Sequence, residues 1–141
     1  FEDAYFAPKP FQQPAPPIWI AGASTAALKR AARYGDVWHP MRLSYDALER
    51  LRAELDGYVE EAGRKPGSVG IALKCPMVFQ DVPPDAGQAP TEGRPSDMVD
   101  AIKRYRDLGV SHFVLDLRPE TRAVALDTME RFAQEVRPHL T

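Results

Sequence analysis

The residue types that could do chemistry gather in three places along this chain. The first is Gly22-Ala23-Ser24-Thr25, a run of small residues leading into Ala26, Ala27 and Leu28. Small side chains let a ligand approach the backbone, and a serine heading a helix leaves N–H groups pointing outward, a seat suited to a phosphate. The same run also serves as plain strand-to-helix plumbing, so its chemistry depends on what surrounds it. The second place is His39 with Arg42. The imidazole can hydrogen-bond a cofactor or act as acid or base, and is the candidate catalytic group; otherwise it seals a rim beside Trp38. The guanidinium of Arg42 suits a phosphate or an acidic tail, or is ordinary surface charge. The third is Asp116 with Arg118, spaced to pair with each other at a strand end. Lys74, in an apolar run, must snorkel or find a carboxylate.

Other chemistries lack their residues. Three His and one Cys at scattered positions give no metal-ligand spacing. No Ser–His–Asp set, P-loop or dinucleotide fingerprint is present in the sequence. The net charge of −2 leaves no basic footprint for nucleic acid or an anionic membrane. No apolar run approaches the ~18 residues of a membrane span. Residues 1 to 17 carry Pro, Lys, Glu and Asp where a signal peptide needs an apolar run. The lone Cys75 fits a reducing compartment, so a cytoplasmic location is expected. The chain opens at Phe1 without a Met, as if cut from something longer.

The elements that must position these groups alternate. Residues 1 to 17 are Pro-rich and predict an extended lead-in whose rings, Phe1, Tyr5, Phe6 and Phe11, pack on a core. Ile18-Trp19-Ile20 predicts a buried strand, entered through Pro16 and Pro17. A helix follows Ser24, with Ala27, Leu28, Ala31 and Ala32 inward and Gly35 ending it in a left-handed conformation. Residues 36–39 predict a short strand. A second helix runs from Ser44 to Gly63 on Leu48, Leu51, Leu55 and Val59. Residues 69–79 alternate as one long strand, and residues 80–94 read as a mobile polar loop. A third helix opens at Pro95 or Ser96 and buries Val99, Ile102 and Tyr105 before Gly109. His112 then begins a strand centred on 113–117. A last helix over 121–136 turns Leu126, Met129, Ala133 and Val136 inward.

Strand–helix repeated four times calls for a parallel α/β sheet with right-handed crossovers. Two architectures satisfy it: a small doubly wound sheet, or half of a (β/α)8 TIM barrel, whose full form takes ~250 residues. The whole of 1–141 reads as a single domain, and as a half-barrel it would expose one sheet edge at 18–21 and another at 113–117. A homodimer closing those edges is the expected remedy.

Several runs share a joint spacing: Phe6-x-Pro8-Lys9-Pro10-x-Gln12-x-Pro14-x-Pro16-Pro17-Ile18-Trp19-Ile20 and Gly22-x-Ser24-x-x-Ala27-Leu28-x-x-Ala31-Ala32-Arg33. They continue through Gly35-Asp36-x-Trp38-His39-Pro40, Ala62-Gly63-Arg64, Tyr105-x-x-Leu108-Gly109-Val110 and Phe132-Ala133-x-Glu135-Val136-x-Pro138. In these runs the chain resembles the luciferase-like flavin-dependent oxidoreductases. The style is closest to members using the deazaflavin coenzyme F420, with FMN as the alternative. The resemblance implies a TIM barrel of which this chain is the C-terminal half. It also implies a cofactor phosphate held at Gly22, Ala23, Ser24 and Thr25, with hydride transfer or oxygenation of a small organic substrate. Two departures stand out: Ala21 replaces the first glycine that the family favours after the strand, and Val37 interrupts its Gly-Asp-Gly-Trp-His. The competing readings are a non-catalytic half-barrel binding a phosphorylated ligand, and an inert self-associating fragment.

Overall fold

A computed structural model of the chain describes residues 7–82, 89–117 and 119–140. In order they form β1 (Trp19–Ala21), α1 (Thr25–Tyr34), β2 (Val37–His39), α2 (Tyr45–Glu61) and β3 (Gly70–Pro76). There follow β4 (Val78–Phe79), β5 (Glu92–Gly93), α3 (Pro95–Asp107), β6 (Val110–Asp116) and α4 (Arg122–Arg131). A π-helical turn, Phe132–Val136, and a 3₁₀ turn, Arg137–His139, close the chain.

The main sheet has the order β1-β2-β3-β6, and every neighbouring pair is parallel. Spatial order therefore follows chain order. A doubly wound sheet reverses direction at a switch point, whereas consecutive units of a barrel do not. The fold is α/β of the TIM-barrel type. Its outer strands are β1 and β6, so the two sheet edges lie where the alternation placed them.

The helices cover one sheet face. Trp38, Ile71, Leu73 and Cys75 form one buried cluster with Leu28, Ala31 and Ala32 of α1 and with Leu48, Leu51, Leu55 and Val59 of α2. Tyr105 and Leu108 join it beside α3, where the Tyr105 hydroxyl donates to the Leu43 carbonyl at 3.0 Å. Met98, Val99, Ile102 and Val136 make a second, smaller cluster. Ser24 and Ser44 cap α1 and α2, accepting from the amides of Ala27 and Ala47.

Several sequence expectations change. Gly35 ends α1 at φ −88°, so it is not left-handed. Glycine is there for space, since a Cβ would lie 2.9 Å from the Ala31 carbonyl oxygen and 3.1 Å from Ile20 Cγ1. The predicted strand over residues 69–79 is broken after Pro76, and β4 leaves the main sheet to pair with β5. Residues 80–94 are thus not loop throughout: Thr91 is fully buried and its hydroxyl donates to the Pro76 carbonyl. Residues 83–88 of that stretch lie outside the described residues, as do Phe1, Tyr5 and Phe6. Phe11 of the lead-in is 98% exposed and packs on nothing. His112 is the third residue of β6, not its first. Leu126 and Met129 are each 54% exposed rather than inward, Ala133 is exposed, and Val136 alone of that stripe is buried.

Burial pushes the Cys75 thiol up to about 12, against a weaker lowering by the Thr91 hydroxyl and a small upward push from Glu92. Burial likewise raises Tyr105 to about 12. A raised folded value gives stability that is complete below the unfolded value, about 8.5 for a thiol. That stability drains away as pH climbs toward the folded value. Melting temperature should therefore fall between about pH 8.5 and 12, and the fall should be shallower in Cys75→Ala; identical slopes for both proteins would assign the alkaline loss elsewhere.

Candidate functional site

β1 delivers the chain to the sheet edge at Ala21, and the turn to α1 occupies residues 22–24. Gly22 has φ +106°, a conformation that side chains disfavour, and a Cβ there would lie 3.2 Å from Ala27 Cβ. Ala21 does not share the positive φ, so its extra methyl carries no penalty of handedness. The turn is tied down from below. Its Gly22 carbonyl accepts from Trp38 Nε1 at 2.7 Å, and the Gly22 amide reaches the His39 carbonyl at 3.4 Å. Residues 21–26 are all exposed, and the amides of Ala23, Ser24 and Thr25 have no main-chain acceptor among the described residues. The Ser24 hydroxyl is engaged in capping α1, accepting from the Ala27 amide, so the free polar groups of the turn are those of its backbone.

His39 ends β2 on the sheet face that the helices leave open. Its Nδ1 lies 2.6 Å from the Ala72 carbonyl oxygen. A carbonyl only accepts, so Nδ1 carries the hydrogen and a neutral ring presents Nε2 as an acceptor. Register pairs Ala21 with His39 and Ala72 with His112, and the His39 ring joins the two pairs into one row through the Ala72 carbonyl. The Trp19 ring leans over that row, 5.4 Å from His39 and 5.9 Å from His112. Ser111 Oγ meets His112 Nδ1 at 3.1 Å. Sequence reasoning missed the Trp19–His112 contact, because nothing local says that β1 and β6 bend toward each other across two intervening strands.

Above this row lies a cleft of about 430 Å³ at the C-terminal ends of β3 and β6, lined by Arg42, Met77, Phe79, Glu92, Asp116 and Arg131 among others. Lys74 finds its carboxylate there: Nζ is 3.5 Å from Asp116 Oδ2. Arg118, the expected partner of Asp116, lies outside the described residues. Arg131 stacks over the Phe79 ring at 4.2 Å and pairs with Glu135 at 3.0 Å, and neither contact was legible in the sequence. Arg42 has φ +51°, and its amide donates to the Lys74 carbonyl at 2.9 Å. The structure thus brings His39 and Arg42 to the strand-end side of the sheet with Asp116, and leaves the Gly22–Thr25 turn beside them at the outer strand. Among the described residues no group of His, Cys, Asp and Glu could hold a metal ion. Nor is any described helix long and apolar enough to cross a membrane.

The sequence profile of the luciferase-like monooxygenases matches residues 1–88, more than half of the chain's 141 residues. The chain belongs to the luciferase-like monooxygenase family. Solved structures agree on the fold. Coenzyme F420-dependent tetrahydromethanopterin reductase from Methanopyrus kandleri superimposes with a TM-score of 0.69 at 15% identity, over 89% of this chain and 51% of its own. EDTA monooxygenase from Chelativorans sp. BNC1 gives 0.66 at 16% identity, over 89% and 44%. Riboflavin lyase, solved with modified FMN and riboflavin, gives 0.68 at 13% identity, over 89% and 43%. The chain spans about half the length of these structures. No curated protein matches it.

Gly22→Ala should cost about 1–3 kcal/mol, the usual penalty for a side chain in a disfavoured backbone conformation. Ala21→Gly should cost less, since no strain is relieved there. Denaturant midpoints of the two variants check this; equal losses would mean that the turn has no special geometry at Gly22.

Proposed function

We propose that this chain, read as a single domain over 1–141 with a lead-in over 1–17, supplies the cofactor-phosphate half of a TIM-barrel oxidoreductase. The cofactor is coenzyme F420, with FMN as the alternative, and the substrate is a small organic molecule. The observation that carries the reading is the exposed turn at Gly22–Thr25, with amides uncommitted to the main chain, in a member of the luciferase-like family. A related structure bears F420 in its name and another was solved with modified FMN, which supports a flavin-type ligand without choosing between the two.

The residues fit such a group. Gly22 keeps the approach to the backbone clear, and the amides of Ala23, Ser24 and Thr25 with the positive end of α1 would hold the phosphate. His39 would bond the cofactor or hold a proton at Nε2, its ring orientation set by the Ala72 carbonyl. When bound, the cofactor supplies the hydride or oxygen chemistry; the protein binds, orients and shields it.

Two open sheet edges favour self-association as well. Ile18 and Trp19 beside one edge are 49% and 42% exposed, and β6 at the other edge has no outer neighbour among the described residues. A second copy pairing β1 with β6 in both directions would close a barrel as a homodimer.

Ser24→Ala removes a helix cap worth about 1 kcal/mol. It should weaken cofactor binding several-fold. Titration of the protein and the variant with F420 and with FMN measures this. Unchanged affinity for both ligands would place the phosphate elsewhere.

A further inference from the structure

Arg42 is the only non-glycine residue with a positive φ among the described residues, at φ +51°. Left-handed backbone is unfavourable for an arginine, so something must hold it. The hold is main-chain. Met41 bridges to Lys74 in parallel register, and the Arg42 amide donates to the Lys74 carbonyl at 2.9 Å. The chain after His39 is thereby clamped to β3, and the next residue, Arg42, lines the cleft at the strand ends.

The guanidinium so placed has no ion pair or hydrogen bond among the described residues. Among the described residues the other cations around the cleft are committed, Lys74 to Asp116 and Arg131 to Glu135. Glu92 is occupied too, its Oε2 accepting from the Ala89 amide at 2.9 Å. We propose that Arg42 is a specificity residue that receives an anionic oxygen group, phosphate or carboxylate, of a ligand bound in this cleft. The inference rests on the TIM-barrel oxidoreductase reading above, but not on the Gly22–Thr25 phosphate seat. Strain at Arg42 is the reason to separate it from ordinary surface charge. A surface arginine gains nothing from a left-handed backbone, whereas one that must reach over a cleft does. The planar guanidinium fork matches two oxygens of a phosphate or carboxylate at once, which a lysine cannot do.

The test titrates the protein, at its native length, with inorganic phosphate and with acetate, following the Arg Nε–H resonances by NMR. Arg42→Gln should weaken phosphate binding about tenfold or more, and Arg42→Lys should recover only part of it. Asp127→Asn, which removes an acid lining the same cleft, should tighten binding. The Arg42 Nε–H shift reports this event and the amide shifts of Ala23–Thr25 report the cofactor seat, which separates a failure here from a failure of that seat. If cofactor affinity falls together with phosphate affinity in Arg42→Gln, the anionic group is the cofactor's. If phosphate alone weakens while cofactor stays bound, it is the substrate's. Arg42→Gly relieves the backbone and should leave the melting temperature unchanged or higher. Phosphate and acetate binding indifferent to Arg42→Gln would overturn the proposal. A marked fall in melting temperature for Arg42→Gly, with a matching fall for Asp127→Asn, would also overturn it, by showing that the residue serves structure.

Discussion

The contact on which most of this structure depends is the indole of Trp38. It is the largest fully buried side chain, and its one polar atom reaches the Gly22 carbonyl at 2.7 Å. A buried indole N–H without a partner would be costly, so the core accepts Trp38 only if the turn after β1 stays where it is. Turn geometry and core packing are consequently one problem here. The exposed turn is held in place by the same ring that fills the space between sheet and helices. This coupling makes an exposed, Gly-containing turn precise without bulky side chains of its own.

The two faces of the sheet obey different physics. Toward the helices, β3 offers Ile71, Leu73 and Cys75, each almost without exposure, and packing there follows apolar area. The other face carries Trp19, His39, Lys74, His112 and Asp116, with Ala72 between them. Polar groups there meet their needs locally, through a carbonyl, a serine hydroxyl or an ion pair. Local pairing of this kind fixes the imidazole and ammonium groups in orientation while the face itself stays partly open to solvent.

At the C-terminal end the α4 helix buries none of its residues, and the π-helical turn that follows brings Val136 to the smaller cluster. Widening one turn changes the phase of a helix, so the spacing that lined up Leu126, Met129, Ala133 and Val136 as one stripe does not survive it. Arg131 stands at the junction, between the Phe79 ring and the Glu135 carboxylate. The sequence carries no sign of the π turn, because a single extra residue per turn is a compromise between neighbouring contacts rather than a local preference.

What the sequence determined by itself was the alternation of elements, the serine caps, the buried stripes of α1, α2 and α3, and the small-residue turn at the head of α1. All of these follow from short-range rules: helical spacing, capping chemistry and the steric freedom of glycine. Motif resemblance reached further and named the family and barrel type that residues 1–88 and the parallel sheet bear out. Only the tertiary structure decided that Gly35 answers to a crowded Ala31 carbonyl and not to handedness. It alone broke the long strand after Pro76, gave β4 a partner in β5, joined Lys74 to Asp116 and turned Arg42 left-handed over the cleft. The pairing of β4 with β5, the Lys74–Asp116 contact and the hold on Arg42 all join residues well separated along the chain, and no local pattern encodes a distance that the chain acquires only by folding.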